Sequence, residues 1–282
     1  FFFDNCERMS ASMKSDVWPS ANIANLDNCE RMSASMKSKP MGFDADYGKQ
    51  GQDQELYDDW NTYNVYVSDT SVAVRLAFIR KVYAVLCIQL GVTTAFLFAS
   101  AFIPAYKSFL MQNRWVAMVA MLGSFVLLFP LQVMKDKFPT NLYLLGGWTI
   151  SLSMMISSSV VFVPPAIICQ AFFLTFAIVA GLTVYTFKSK KDFSFLEGGL
   201  FSGLWVLILM GFLRVFFPFG ATVHLLYAGG GALLFAGFLL YDTSNLMRKY
   251  SIDDWIPAVI TLYLDILNLF LHILQLLSRS RD

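Results

Sequence analysis

Charge is what this chain has least of. Lys and Arg number 21 and Asp and Glu 20 among 282 residues, so 15% of the sequence is charged while 56% is hydrophobic. That balance excludes an ordinary soluble domain and places the chain in the membrane class. The formal net charge is +1, and no basic patch carries interleaved aromatics, so no nucleic acid is expected as a partner. Cysteine is also scarce. Of the four, Cys6 and Cys29 hold equivalent places in a repeat, and Cys87 and Cys169 fall inside apolar runs. They make no disulfide framework and are expected to be buried thiols. The opening Phe1–Phe3 is too short for a signal-peptide core, so the first membrane helix is expected to act as the targeting signal.

Long apolar runs are what the chain has instead. Seven follow one another: Val82–Ile103, Trp115–Met134, Asn141–Val163, Ala166–Phe187, Gly199–Phe219, Val223–Leu246 and Trp255–Leu277. Each is long enough to cross a hydrocarbon core of about 30 Å as a helix. Pro164-Pro165 divides what would otherwise be one very long run, because proline cannot continue the helical ladder. Residues 71–282 are therefore expected to form an all-α, seven-helix membrane domain.

Residues 1–70 are polar, lack apolar periodicity and read as a disordered tail. The segment Asp4–Ser15 recurs letter for letter at Asp27–Ser38. Two copies of a polar 12-mer are too few for a solenoid; they point to a recent duplication or an imperfect gene model, and no function is assigned to them. Lys and Arg near the span ends set the orientation. One side collects Arg75, Arg80, Lys81, Lys135, Lys137, Lys188, Lys190, Lys191, Arg248 and Lys249; the other has only Lys107, Arg114, Arg214, Arg279 and Arg281. The N-terminus is expected in the cytosol. The basic tip after Leu277 opposes this mildly, and a last helix that re-enters would return it to the cytosol.

One stretch organises the rest: Leu262-Tyr263-Leu264-Asp265-Ile266-Leu267-Asn268-Leu269-Phe270. A carboxylate at the centre of a membrane helix costs from ~2.5 to over 10 kcal/mol, so it must face protein or water, and it marks a functional site by default. A second stands at Asp242, in Leu239-Leu240-Tyr241-Asp242-Thr243. The polar link Arg248–Asp254 makes the two runs a helical hairpin. At ~1.5 Å per residue both aspartates lie roughly 14–18 Å from one membrane surface, level with each other. They form a candidate acidic pair. Around them, Thr261, Asp265, Asn268, His272 and Gln275 share one helix face. These residues, with Asn245, are candidate pathway-lining groups. The bland alternative is a structural network of interhelical hydrogen bonds. Asn268, between Asp265 and His272, is placed to help hold a bridging water.

Other single residues read more simply. Arg214, about five residues from the end of its span, is expected to snorkel to the interface. Glu197 suits a helix N-terminus. Gly229-Gly230-Gly231 with Ala232, Ala236 and Gly237 gives a small-residue face for close packing. Phosphate binding is the poorer reading, because no strand precedes the glycines and no Lys-Ser/Thr follows.

Several stretches resemble the Bax inhibitor / Lifeguard (TMBIM) family, most of all its eukaryotic Lifeguard branch. They are Arg75-Leu76-Ala77-Phe78-Ile79-Arg80-Lys81-Val82-Tyr83, Lys137-Phe138-Pro139-Thr140-Asn141, Asp192-Phe193-Ser194-Phe195-Leu196, Tyr241-Asp242-Thr243, and Leu262–Asp265 with Asn268-Leu269-Phe270. The resemblance runs in order from about Val74 to Arg281. It implies six helices wrapped around a central seventh at the C-terminus. It further implies a pH-sensitive calcium leak in internal membranes, endoplasmic reticulum or Golgi, with suppression of cell death. The family's paired aspartates fall on Asp242 and Asp265, which would meet calcium transiently as the permeant ion; no cofactor is implied. Bacterial members also latch an arginine at the end of the second helix to an aspartate. Here that region reads Met134-Lys135-Asp136-Lys137, and Lys135 is the nearest substitute, without the bidentate fork of arginine.

The expected function is therefore a leak channel governed by an aspartate pair, in contact with the lipid bilayer and with cell-death regulatory membrane proteins, and not an enzyme. Two alternatives stand beside it. An intramembrane aspartyl protease also sets Tyr-Asp on one helix against Asp on the next, but its second aspartate follows Gly-x-Gly, where this chain has Tyr263-Leu264. A non-conducting membrane adaptor would act through partners and would not need the aspartates.

Overall fold

A computed structural model of the chain describes Val67 and residues 72–189, 193–217 and 219–279. The expected tail, with its duplicated 12-mer, lies outside the described residues apart from Val67. Val67 is fully buried in the helical domain, and its N–H donates to the Tyr250 carbonyl at 3.0 Å.

Among the described residues the regular structure is helical. α1 spans Val72–Phe102, α2 Pro104–Gln112, α3 Trp115–Val133, α4 Thr140–Val160, α5 Pro165–Lys188, α6 Glu197–Phe216, α7 Ala221–Arg248 and α8 Trp255–Arg279. α1 begins ten residues ahead of the apolar run Val82–Ile103, because helical hydrogen bonding does not stop where the side chains turn polar. Its buried positions, Phe78, Val82, Leu86, Gln89, Thr93, Leu97 and Ser100, recur every three or four residues and form one inward face. Cys87 points the other way and is exposed, against the expectation of a buried thiol. It follows Leu86 by one helical step, about 100° off the inward face.

The short helix α2 was not expected. Pro104 opens it at a position where a missing N–H costs nothing, and Asn113 closes it, with Nδ2 donating to the Phe109 carbonyl at 2.9 Å. The Pro164-Pro165 break is where the sequence puts it: α4 ends at Val160 and Pro165 is the first residue of α5. Glu197 is the first residue of α6.

Six of these helices are long and apolar enough to cross a membrane: α1, α3, α5, α6, α7 and α8. The remaining expected run, Asn141–Val163, falls on α4. That helix is diluted by Gly146, Gly147, Thr149 and five serines, and α3 packs closely over it. The serine hydroxyls turn back on their own helix, as Ser153 to Thr149 O and Ser158 to Met154 O show.

The helices do not share burial equally. In α8, 72% of the membrane-length segment is buried, against 6–28% in the other five. α8 packs against α1, α5 and α7, and Ile256, Ala258, Val259, Leu262, Tyr263 and Leu269 are at most 1% exposed. The chain is a multi-pass membrane protein, all-α among the described residues, and its last helix is the most buried of the membrane-length ones.

Candidate functional site

Asp242 on α7 and Asp265 on α8 hold their carboxyls within hydrogen-bonding reach of each other. Asp265 is only 6% exposed and Asp242 half-buried. An ionised carboxylate only accepts hydrogen bonds, so the two are joined only while a proton lies between them. Asn245, one turn after Asp242 and itself buried, supplies Asp242 with a second contact. Among the described residues, Asp265 Oδ2 is buried without a hydrogen-bond partner.

The polar face of α8 resolves into separate roles. The Thr261 hydroxyl lies 3.2 Å from Tyr250 Oη and also faces the carbonyls of Pro257 and Ala258. Asn268 Nδ2 donates to the Leu264 carbonyl at 2.9 Å, so its amide is directed at its own helix. His272 is buried, with its ring 5.6 Å from Phe235 in a stacked arrangement and 5.3 Å from Tyr227. Among the described residues its Nδ1 is buried without a hydrogen-bond partner. Gln275 is exposed and lines a cavity at the far end of the helix. Of the glycine run, Gly231 is the one that a close approach requires, because a Cβ there would collide with the His272 imidazole. Gly230 faces open space.

Behind the pair lies a network that sequence reasoning missed. Tyr263 Oη is 2.6 Å from Thr93 Oγ1, and Thr93 is 3.0 Å from Ser153 Oγ. Gln89 Nε2 donates to Thr149 Oγ1 at 2.7 Å. These buried polar groups tie α8 to α1 and α4. Tyr263 also meets the Trp148 ring edge to face at 5.6 Å. Gln89 and Thr93, one turn apart inside an apolar run, were the signal; their partners are 60 and 170 residues away in sequence.

Lys135 does not reach either central aspartate. Its Nζ lies 2.5 Å from Asp254 Oδ1, just ahead of α8, so it fastens the α3–α4 connection to the start of that helix. The hydrogen bond to Asp254 raises the Lys135 pKa above its ordinary value. Beside them a cavity of about 570 Å³ opens, lined among others by Asp253, Ser251 and Asn141, with Lys81 Nζ 4.2 Å above the Trp255 ring. Tyr250, next to Ser251 of this cavity, lies near both central aspartates. Burial pushes its pKa up to about 12, with the nearby carboxyls of Asp242 and Asp265 acting in the same direction. Among the described residues no group of three or more His, Cys, Asp or Glu side chains is arranged to hold a metal ion.

A bundle of membrane-length helices with two carboxyls meeting between its last two helices defines a multi-pass membrane protein with a buried acid pair. Residues 75–282 match the family described as inhibitor of apoptosis-promoting Bax1. The chain is 45% identical over 225 residues to a "Golgi anti-apoptotic protein" of vaccinia virus, covering 80% of this chain and 94% of the viral one. It is 43% identical over 223 residues to mouse "Protein lifeguard 4", covering 79% and 93%. "Bax inhibitor 1" of fission yeast is 35% identical over 216 residues, covering 77% and 81%. The chain belongs to the Bax inhibitor family.

Proposed function

We propose that this chain suppresses cell death from an internal membrane, Golgi or endoplasmic reticulum, by passing calcium through a leak that the Asp242–Asp265 pair gates with a proton. The observation that carries the reading is the contact of the two carboxyls between α7 and α8. The names of the viral and mouse relatives support the membrane and the cell-death role. In this reading seven helices cross the bilayer, six wrapped around α8, with the N-terminus in the cytosol; the heavy burial of α8 supports its central place.

The gate works by proton count. While one proton is shared, the pair is a hydrogen bond that clamps α7 to α8. When it leaves, two like charges repel in a medium that screens them poorly, and the helices part. The same two carboxylates then offer hard oxygen donors to calcium. Two are too few for tight chelation, which suits passage better than storage. The route runs from the Lys135–Asp254 mouth past Tyr250 to the pair, then past Asn268 and His272 toward Gln275. Tyr263, fully buried against Trp148, fills the space that a protease would keep open for its substrate beside the second aspartate, and no hydrolytic role is assigned.

Calcium uptake into liposomes carrying the purified full chain tests this reading. A leak that grows with pH supports it. Liposomes as tight as protein-free ones at every pH, from a chain that still protects cells, would establish the non-conducting adaptor instead.

A further inference from the structure

At the end of the bundle remote from Asp254, a cavity of about 240 Å³ is lined, among the described residues, by several polar side chains and by no acid. Its polar wall is Arg214, His224, Ser159, Gln275 and Ser278, and the remainder is Val and Leu. Arg214 does not snorkel outward as a lone arginine at a span end would. Its guanidinium lies 4.4 Å over the Tyr227 ring and bonds His224 Nδ1 through Nη2. Tyr227 is in turn packed against His272 and held close to α6 at Gly211, where a Cβ would come within 3.1 Å of its hydroxyl. The Tyr227 ring therefore serves as an aromatic shelf for the guanidinium, and Arg214 lines the cavity. With Nδ1 accepting from arginine, the His224 proton sits on Nε2, which makes the ring a donor as well.

We propose that this cavity binds a phosphate-bearing anion, the headgroup of an anionic lipid. Arginine, histidine, the Ser278 hydroxyl and an amide are the complement of phosphate oxygens, while the Ser159 hydroxyl donates to the Met155 carbonyl of its own helix. Cavities for drug-sized ligands start at about 300 Å³, so this one, near 240 Å³, suits a headgroup better than a larger organic molecule. Depth favours a lipid as the source. Arg214 lies in the last turn of α6, His224 in the first turn of α7, and Gln275 and Ser278 near the end of α8, which is headgroup level for helices of this length. α6 is the least buried membrane-length helix, and Phe212 and Phe216 beside Arg214 are exposed to receive acyl chains. An arginine in a last turn also suits the carbonyl end of its own helix, but that role requires neither the histidine, the aromatic shelf nor the polar cavity.

Native mass spectrometry of the purified full chain in detergent tests the site, with phosphatidic acid, phosphatidylcholine and inorganic phosphate as probes. The wild type should retain phosphatidic acid in preference to phosphatidylcholine. Arg214→Gln should weaken that retention by at least about ten-fold, the loss of a charge-assisted bidentate contact, and Arg214→Lys by less. Displacement of phosphatidic acid by millimolar inorganic phosphate would identify the free anion as a ligand of the same site; no displacement assigns it to the lipid. Gln275→Leu with Ser278→Ala provides a second reading that leaves the α6–α7 contact intact, and should also lower retention. Retention unchanged in both Arg214→Gln and the Gln275/Ser278 variant overturns the proposal.

Discussion

Gly231 on α7 and His272 on α8 interlock: the imidazole occupies the space that any Cβ at position 231 would need. The ring cannot easily yield, because Phe235 stacks on it and Tyr227 leans against it. Gly231→Ala should therefore destabilise the protein by about 1–3 kcal/mol, the usual cost of overpacking. Thermal unfolding in detergent measures it. In Gly231→Ala with His272→Ala most of that penalty should be relieved, since the colliding ring is gone.

Lys135 and Asp254 form a different kind of contact, about one-third exposed on each side. Such pairs contribute under about 1 kcal/mol, so Lys135→Met should lower stability only slightly. The raised Lys135 pKa means that its contribution is complete below the ordinary lysine value of 10.5 and is lost as pH climbs past the folded value. The pair stays intact throughout the physiological range. Lys135→Met should therefore leave the midpoint of the leak-versus-pH curve where it is in wild type; a midpoint shift of a pH unit would make this pair part of the sensor.

Val67 sets how far the N-terminal segment can be trimmed. A chain starting at Asn64 keeps the buried valine and its bond to Tyr250, while one starting at Ser71 loses both. The shorter chain should be less stable by roughly 2–4 kcal/mol, from one buried aliphatic side chain and one hydrogen bond. Comparing the melting temperatures of the two truncations checks this.

Tyr250 makes the fold sensitive to alkali. Its pKa is about 12 in the folded protein against an ordinary 10.0. The folded state thus holds its proton longer than the unfolded chain does. Stability is complete below pH 10 and falls between 10 and 12, by roughly 2–3 kcal/mol in all. Tyr250→Phe should flatten that slope, although it loses the hydroxyl contact with Thr261 at neutral pH. Lys135 acts with the same sign, so the residual slope should shrink further when Lys135→Met is added. Unfolding free energies measured from pH 8 to 12 separate the two.

The legible parts of this molecule were those where one residue contradicts its neighbours. Asp242 and Asp265 stood out because carboxylates interrupt apolar runs, and counting residues from the shared turn put them at one depth. Pro164-Pro165 marked a break for the same reason. The polar network of Gln89, Thr93, Ser153 and Tyr263 was not legible, since each hydroxyl or amide is unremarkable locally and only the packing of α1, α4 and α8 joins them. Arg214 read as a snorkelling cation because sequence gives its depth and not its direction; the shelf that turns it inward, Tyr227, is on the next helix. Lys135 was picked out as a latch, but its partner Asp254 was hidden among three acidic residues around the α3–α4 and α7–α8 turns.

The central claim is that the proton shared by Asp242 and Asp265 governs calcium passage, and its most direct test is calcium flux into liposomes across a pH series. Wild type is compared there with Asp242→Asn, Asp265→Asn and the double variant. Neutral amides cannot charge and repel, so each single variant should change the leak strongly, and the double variant should show a rate that no longer varies with pH. A double variant whose leak rises with pH along the wild-type curve would contradict the account.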